Sequence, residues 1–443
     1  MSEVVEKELP DGWERVPLKD AVHIILGQSP SSSTYNQEGE GLPFFQGKTE
    51  FGEIYPTVRK WCTEPKKIAE KEDVLVSVRA PVGPTNLAPY ECAIGRGLAA
   101  LRPLDGSDTK YFLYLIRRYQ NNLAALGTGT TFEAISGDTL KNFVVPLAPP
   151  EQQKRIVAKI EELFSHIDAG IEALKKAKQL LKQYRQSVLK AAVTGELTKE
   201  WREANKGKLE PAEKLLERIL KTRRQLWEEQ QLEQFKAKSK MPKDDKWKEK
   251  YKEPLTPEFE HVINIPEIPD TWEWVTASQL TTLVKDGPHY SPKYAEKGIP
   301  FITGGNVRPN GVDFENCKFI TEELHEELSK RCKPELNDIL YTKGGTTGFA
   351  RVNTYDFEFN VWVHVAVLRL VNTNFIDPFY MQHALNSQLC YAQSQKYTHG
   401  VGNQDLGLTR MIKICLAIPP LEEQRKVIGI IDRKMESIAR TGE

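Results

Sequence analysis

Net charge is missing from this chain. Lys and Arg number 61, and so do Asp and Glu, over 443 residues. A protein that coats nucleic acid without regard to sequence carries a positive excess, so the balance argues against that class and leaves local basic surfaces open. Cysteine is scarce: Cys62, Cys92, Cys317, Cys332, Cys390 and Cys415 show no CxxC spacing. The eight histidines form no HExxH or HxxxH cluster, so no zinc site is expected. Scattered thiols without a framework fit a reducing compartment. No run approaches the roughly 18 apolar residues of a membrane span, and the opening MSEVVEKELPDGW is acidic and polar, unlike a signal peptide. A cytoplasmic protein with no membrane partner is the expectation.

Reaction centres are missing as well. GLPFFQGKT ends in Gly47-Lys48-Thr49, but a phosphate loop needs glycine at position 42, where Leu42 stands, and Gly41 is one residue out of register. GRGLAA at Gly95–Ala100 fits a dinucleotide fingerprint weakly and opens no helix. No Gly-x-Ser-x-Gly elbow, Asn/Asp-Pro-Pro-aromatic methyltransferase tetrapeptide or carboxylate–lysine nuclease cluster stands out. The chain reads as noncatalytic.

Duplication is abundant. LAPPEQQKRIVAKIEELF from Leu147 is echoed by AIPPLEEQRKVIGIIDRKM from Ala417, and LPDGWERVPLKDAV from Leu9 by IPDTWEWVTASQLT from Ile268. GLPFFQGKTEFGEI (Gly41) matches GIPFITGGNVRPNG (Gly298), and EDVLVSVRAPVG (Glu72) matches NDILYTKGGTTG (Asn337). A glycine-rich loop precedes the last strand of each copy, from Gly127 and from Gly400. Such self-similarity predicts two copies of one fold. Short apolar runs read as strands and intervening periodic stretches as helices, an α+β class. The expected organisation is a first unit at 1–150, a spacer helix at 151–205, a charged helical linker at 206–262, a second unit at 263–420 and a short second helix at 421–443.

From Ile156 apolar residues recur in heptads. One position holds Ile160, Ile167, Leu174, Leu181 and Val188, and the other Ile156, Leu163, Gly170, Ala177, Tyr184 and Ala191. That is a coiled-coil seam, with a single surface helix on a core as the alternative. After Pro420 the phase continues in Val427, Ile431 and Ile438. Between helix and second unit, Ala212, Leu215, Ile219 and Leu226 have helical spacing, and SKMPKDDKWKEKYKEP reads as a solvated connector.

Two pseudo-repeated units, each closing on a PP–EQ junction before a helix, resemble the specificity subunit of type I restriction–modification systems. SVLKAAVTGELTKEWREAN (Ser187 to Asn205) is similar to the tail of that family's conserved helix. The resemblance implies two target-recognition domains reading the halves of a bipartite double-stranded DNA site, held apart by long helices in an antiparallel coiled coil. It implies two methyltransferase and two motor-nuclease restriction subunits as partners. S-adenosylmethionine, ATP and Mg²⁺ would belong to those partners, with no cofactor on this chain. The second helix departs from the family pattern by being about half the length of the first. The charged helix at Ala212–Lys236 is one substitute for the missing half, and truncation is another explanation. A noncatalytic coiled-coil adaptor whose duplicated units bind proteins is the competing reading.

Bases are read by Arg, Lys, Asn and Gln, and phosphates by cations, hydroxyls and glycine-turn amides. Equivalent loops offer Gln46, Lys48, Arg79, Arg96, Thr128, Thr130 and Thr131 in the first unit. In the second they offer Asn306, Arg308, Lys343, Thr346, Thr347, His399, Asn403 and Gln404. Gln46-Gly-Lys against Gly304-Gly-Asn, and Val78-Arg-Ala against Thr342-Lys-Gly, are expected to be matched positions carrying different polar groups.

Overall fold

A computed structural model describes residues 8–104, 106–128, 134–259, 265–400 and 404–442, with side chains as far as Ser437. Contacts divide the chain into two units, Met1–Leu174 and Lys175–Glu443.

In the first unit the runs VHIIL, LAALRP, VLVS and TNL form an antiparallel sheet in the order Val22–Leu26, Leu98–Pro103, Val74–Ser77, Thr85–Leu87. Val74, Leu75 and Val76 are all buried because the sheet is covered on both faces. On one face lies the helix Thr109–Arg118, which is N-capped by Asp108 and inserts Tyr111, Phe112 and Ile116. On the other lies a smaller sheet in which Leu42–Phe45 and Cys92–Ile94 run parallel. Glu14–Pro17 pairs with Val144–Leu147, which brings the chain back beside its start just before the double proline.

The second unit repeats this order. Its sheet runs Thr281–Asp286, Val365–Leu370, Ile339–Thr342, Ala350–Val352. Ile299–Ile302 and Asn360–Val361 are the parallel pair, and Glu273–Thr276 with Cys415–Ile418 the closing ribbon. The duplication extends to single atoms. Arg102 forms a forked pair with Asp73 at 2.9 Å, and Arg369 a forked pair with Asp338 at 3.0 and 2.9 Å. The residues just before those aspartates, Glu72 and Asn337, both take the left-handed conformation at φ 70°. Burial pushes the Asp338 carboxyl above its ordinary value despite Arg369.

The PP–EQ junction acts as a latch in both units. The indole of Trp13 donates to Gln152 Oε1 at 2.7 Å, and that of Trp272 to Glu423 Oε2 at 2.9 Å. The next residue ties the helix start to the preceding loop: Gln153 Oε1 accepts from the Asp108 amide, and Gln424 Oε1 from the Asp377 amide. The tail of the long helix docks on the second latch only, where Thr198 Oγ1 and Arg202 Nη1 donate to buried Glu423 at 2.6 and 2.7 Å.

Two expectations are corrected. Of the 206–262 stretch, residues 206–259 are a folded part of the second unit and not a solvated linker. Ala212, Leu215 and Ile219 of the helix Ala212–Ala237 are buried in the second unit's core, while Leu226 is exposed. The connector folds back because its aromatic residues find partners on that helix: Trp247 stacks on Trp227 at 5.9 Å and meets Phe235 at 5.8 Å. Thr276 Oγ1 then donates to Leu255 O at 2.7 Å.

The seam, secondly, is covered only at its ends. The long helix spans Pro150–Val193, 44 residues, or about 66 Å at ~1.5 Å per residue. Val157 packs into the first unit's core with Ile156 against it, and Ile160 is half-buried. Val188 shares the second unit's core with Val427 and Ile431 of the 22-residue helix Leu421–Gly442. Lys434 reaches Tyr184 Oη at 3.4 Å. Between these ends Leu163 is 50% exposed, Ile167 56% and Leu174 72%; Gly170 and Ala177 are exposed and Leu181 is half-buried. No coiled coil runs the length of the helix among the described residues, since the second helix covers only its last turns. Ile438 lies outside the described side chains.

Candidate nucleic-acid interface

The expected reading loops of the first unit converge at one end of its sheets. Gly95 N–H donates to Phe45 O at 2.8 Å, and Val78 N–H to Gly97 O at 2.9 Å. A Cβ on Gly97 would lie 2.2 Å from Gln46 O, so only glycine lets these strands approach. Ala134 pairs with both Arg79 and Thr128 as isolated bridges. Gln46, Arg79, Arg96 and Thr128 are thereby gathered. The Arg79, Arg96, Lys48 and Thr128 side chains are exposed, and Gln46 is half-buried. Thr130 and Thr131 lie outside the described residues. Gln28 and Ser29 join the cluster, with Arg96 N–H donating to Ser29 Oγ at 3.3 Å. Neither is among the expected readers; their loop begins where the strand Val22–Leu26 ends.

The second unit gathers its loops at the same end, with different chemistry. Lys343 is 3% exposed, not free for phosphate. Its ammonium donates to Asp405 Oδ1 at 2.8 Å and Val363 O at 3.2 Å, and pairs with Asp286 Oδ2 at 3.3 Å. Asp286 also accepts from Arg331 Nη2 at 2.7 Å. Burial alone raises the Asp286 carboxyl, but the Arg331 hydrogen bond, Lys343 and His289 together bring it below its ordinary value. Backbone bonds fix the same junction: Leu406 N–H donates to Lys343 O at 2.8 Å, and His399 and Asp405 exchange bonds of 3.1 and 2.9 Å. Thr346, His399 and Gln404 are exposed around it. Asn403 lies outside the described residues.

Asn306 and Thr347 are also turned inward. Both Asn306 Nδ2 bonds go to carbonyls, of Asp313 and Asn316, while its Oδ1 accepts from Thr303. It closes a turn as Glu50 does in the first unit, where Gly47 N–H donates to Glu50 Oε2 at 3.1 Å. Thr347 Oγ1 accepts from Gln395 at 3.0 Å. Arg308 stays exposed and pairs with Asp313 at 3.0 Å. Thus Asn306, Lys343 and Thr347 are corrected from exposed readers to internal supports: Asn306 closes a local turn, and Lys343 and Thr347 meet partners far along the chain.

Backbone pairing also shifts the expected match of the Val78 and Thr342 loops by one residue. Gly83 N–H donates to Ser77 O and Gly348 N–H to Thr342 O, so Ser77 corresponds to Thr342. Lys343 therefore matches Val78, and Gly344 matches Arg79. Likewise Trp362 and His364 match Gly95 and Gly97. The Trp362 and His364 rings meet at 4.4 Å, and a Cβ on Gly344 would lie 2.3 Å from His364 Cδ2. Bulk is thus exchanged between neighbouring strands: Arg79 beside Gly97 in one unit, Gly344 beside His364 in the other. Burial holds the His364 imidazole below its ordinary pKa, helped by Lys343. The aromatic–histidine alternation of VWVH opposite IGRG was the available signal for this pair.

A family model described as the type I restriction modification DNA specificity domain matches residues 10–182 and again 269–440. The putative type I restriction enzyme MjaX specificity subunit of Methanocaldococcus jannaschii is 39% identical over 193 residues, 43% of this chain and 44% of that one. The matched stretch thus spans less than half of that relative. The EcoBI specificity subunit of Escherichia coli is 23% identical over 96% of this chain and 79% of its own length. A crystal structure of the HsdS subunit from Thermoanaerobacter tengcongensis shows 47% identity over 38% of this chain and 41% of that chain, with a TM-score of 0.35.

Proposed function

From the premise that the chain belongs to the type I restriction–modification DNA specificity family, with two copies of the domain, we propose that each unit reads one half of a bipartite double-stranded DNA site. One observation carries this reading. The same scaffold, duplicated down to its Asp–Arg forks, presents different polar groups at one end of its sheets: Arg79 and Arg96 in one unit, Thr346, His399 and Gln404 in the other. Exposed cations and amides at the ends of rigid strands are the groups that recognise base edges and phosphates.

The uncovered stripe of Leu163, Ile167 and Leu174 supports the second part of the proposal. An apolar helix face left open in the chain is where partner helices pack. Two methyltransferase subunits dock along the helical region, and two motor-nuclease subunits complete the complex. This chain supplies no catalytic group; S-adenosylmethionine, ATP and Mg²⁺ are held by the partners. The chain works in the cytoplasm. Among the described residues no helix is long and apolar enough to cross a membrane.

The test is a chimaera. Residues 1–150 are replaced by the first unit of another family member, and methylated adenines are mapped with the methyltransferase present. One half-site changes and the other stays. Methylation at all adenine contexts alike, in wild type and chimaera, would instead support the protein-binding adaptor.

A further inference from the structure

The two units carry opposite chemistry at the same three positions. In the second unit these are Asp286, Lys343 and Asp405, joined at 3.3 and 2.8 Å. Strand pairing identifies their counterparts. Ala99 pairs with Leu26 and Ala366 with Asp286, so Leu26 stands where Asp286 does. Val78 stands where Lys343 does, and Ala134, which bridges Arg79, stands where Asp405 bridges Gly344. Where the second unit has an ionic triad, the first has three apolar residues, buried Val78 with Leu26 and Ala134 more open to solvent.

The ionic triad joins three separate pieces of the second unit. Asp286 ends one strand, Lys343 follows another strand of the same sheet, and Asp405 bridges both His399 and Gly344. Lys343 turns its ammonium into the protein, donating to Asp405 and the Val363 carbonyl and pairing with Asp286. At 3% exposure it has no donor to offer DNA. Its neighbours do, because Gln404 and Thr346 flank the clamp and are exposed, and Gly345 N–H donates to Gln404 O at 3.3 Å. Base readout depends on donors and acceptors held in fixed geometry, so a group that sets the loop's position sets which base is accepted.

We propose that Lys343 is a positioning residue for base recognition by the second unit: its buried ammonium locks Asp405, and with it the neighbouring Gln404, against the strand end at Asp286, a role that the first unit, with Leu26, Val78 and Ala134 at these positions, fills without charge. This rests on the DNA-reading function proposed above. Replacing a buried ionic group by apolar residues of the other unit is the kind of exchange a fold tolerates when all partners change together, and resists when one partner is left alone.

The experiment uses the full chain in complex with its methyltransferase. Lys343→Val removes the ammonium that joins Asp405 to Asp286, leaving Asp286 to Arg331 alone. Hydrogen exchange at the Gly345 and Leu406 amides should rise about tenfold or more, and the second half-site should lose base preference while the first keeps it. The triple variant Asp286→Leu, Lys343→Val, Asp405→Ala installs the first unit's triad, and should restore both protection and the original preference. The unchanged first half-site reports that each variant is folded and bound. Unaltered exchange in Lys343→Val would overturn the clamp, and faster exchange with an unaltered preference would reduce it to a support of the fold. A triple variant as broad in preference as the single one would show that charge, not loop position, sets the preference. If wild type selects no bipartite site, the reading function itself fails, while the exchange data still decide the clamp.

Discussion

Trp272 donates its indole N–H to Glu423 at 2.9 Å, and in the other unit Trp13 makes the same bond to Gln152 at 2.7 Å. A neutral amide suffices for the latch alone. The carboxylate appears in the copy that must also receive Arg202 and Thr198 from the tail of the long helix. The WR of GELTKEWR and the second glutamate of PPLEEQ are two halves of one buried ion pair.

That pair makes a graded prediction. Glu423→Ala leaves Arg202, only 13% exposed, without its carboxylate and should cost about 3–5 kcal/mol. Glu423→Gln keeps the Trp272 bond, as Gln152 does for Trp13, and should cost less. Urea unfolding of the three proteins gives the order, and equal loss in both variants would show that the indole bond contributes nothing.

The clamp predicts a pH signature. Asp286 has a folded pKa below its ordinary 3.8. A depressed carboxyl adds stability that is present above the ordinary value and disappears as pH falls through the folded value. Asp286→Asn should therefore be less stable than wild type by about 1–3 kcal/mol near neutrality, with the gap closing below about pH 4. Denaturation midpoints from pH 7 to pH 3 measure it. A gap that widened toward low pH would contradict the sign.

The helix stripe separates stability from assembly. Leu174 is 72% exposed and Val188 4%. Leu174→Asp should change the stability of the free chain by less than about 0.5 kcal/mol, whereas Val188→Asp buries a charge and costs several kcal/mol. Co-purification with methyltransferase should be lost in Leu174→Asp despite normal melting. Retained binding there would move the partner's footprint off this face.

Most of the architecture was legible because the duplicated strings lie on strands whose burial demands fixed residue types. VLVS and ILYT are examples, and the latch residues stand inside the quoted junctions. What was not legible depended on hydrogen bonds and packing that only the folded chain makes. Lys343 reads as an exposed loop cation until Asp286 and Asp405 fold around it. Asn306 reads as a base reader until its amide closes a turn. The one-residue slip between Val78 and Lys343 came from aligning cations with each other, when the strand ladder aligns Ser77 with Thr342. The connector was misread because Trp247 sits in a run of lysines and acids, and only its stacking on Trp227 shows that it is packed.

The long helix offers the last prediction. Its middle, around Leu174, is an exposed stretch between two ends that belong to different cores. An inserted heptad after Leu174 keeps the apolar phase and adds ~10 Å of rise. Duplex DNA advances about 3.4 Å per base pair on each strand. If this helix separates the readers, the unread gap between half-sites should lengthen by at most about three base pairs, less if helix and DNA axes are tilted. The half-site sequences should not change, since neither loop cluster nor either triad is touched. An insertion of two residues instead would turn the apolar stripe by about 200° and should weaken partner docking before it alters the gap. Mapping methylated adenines in a random DNA library gives the gap and both half-sites from one measurement. A folded, active complex whose gap ignores the inserted heptad would mean that the spacing is set by the partners and not by this helix.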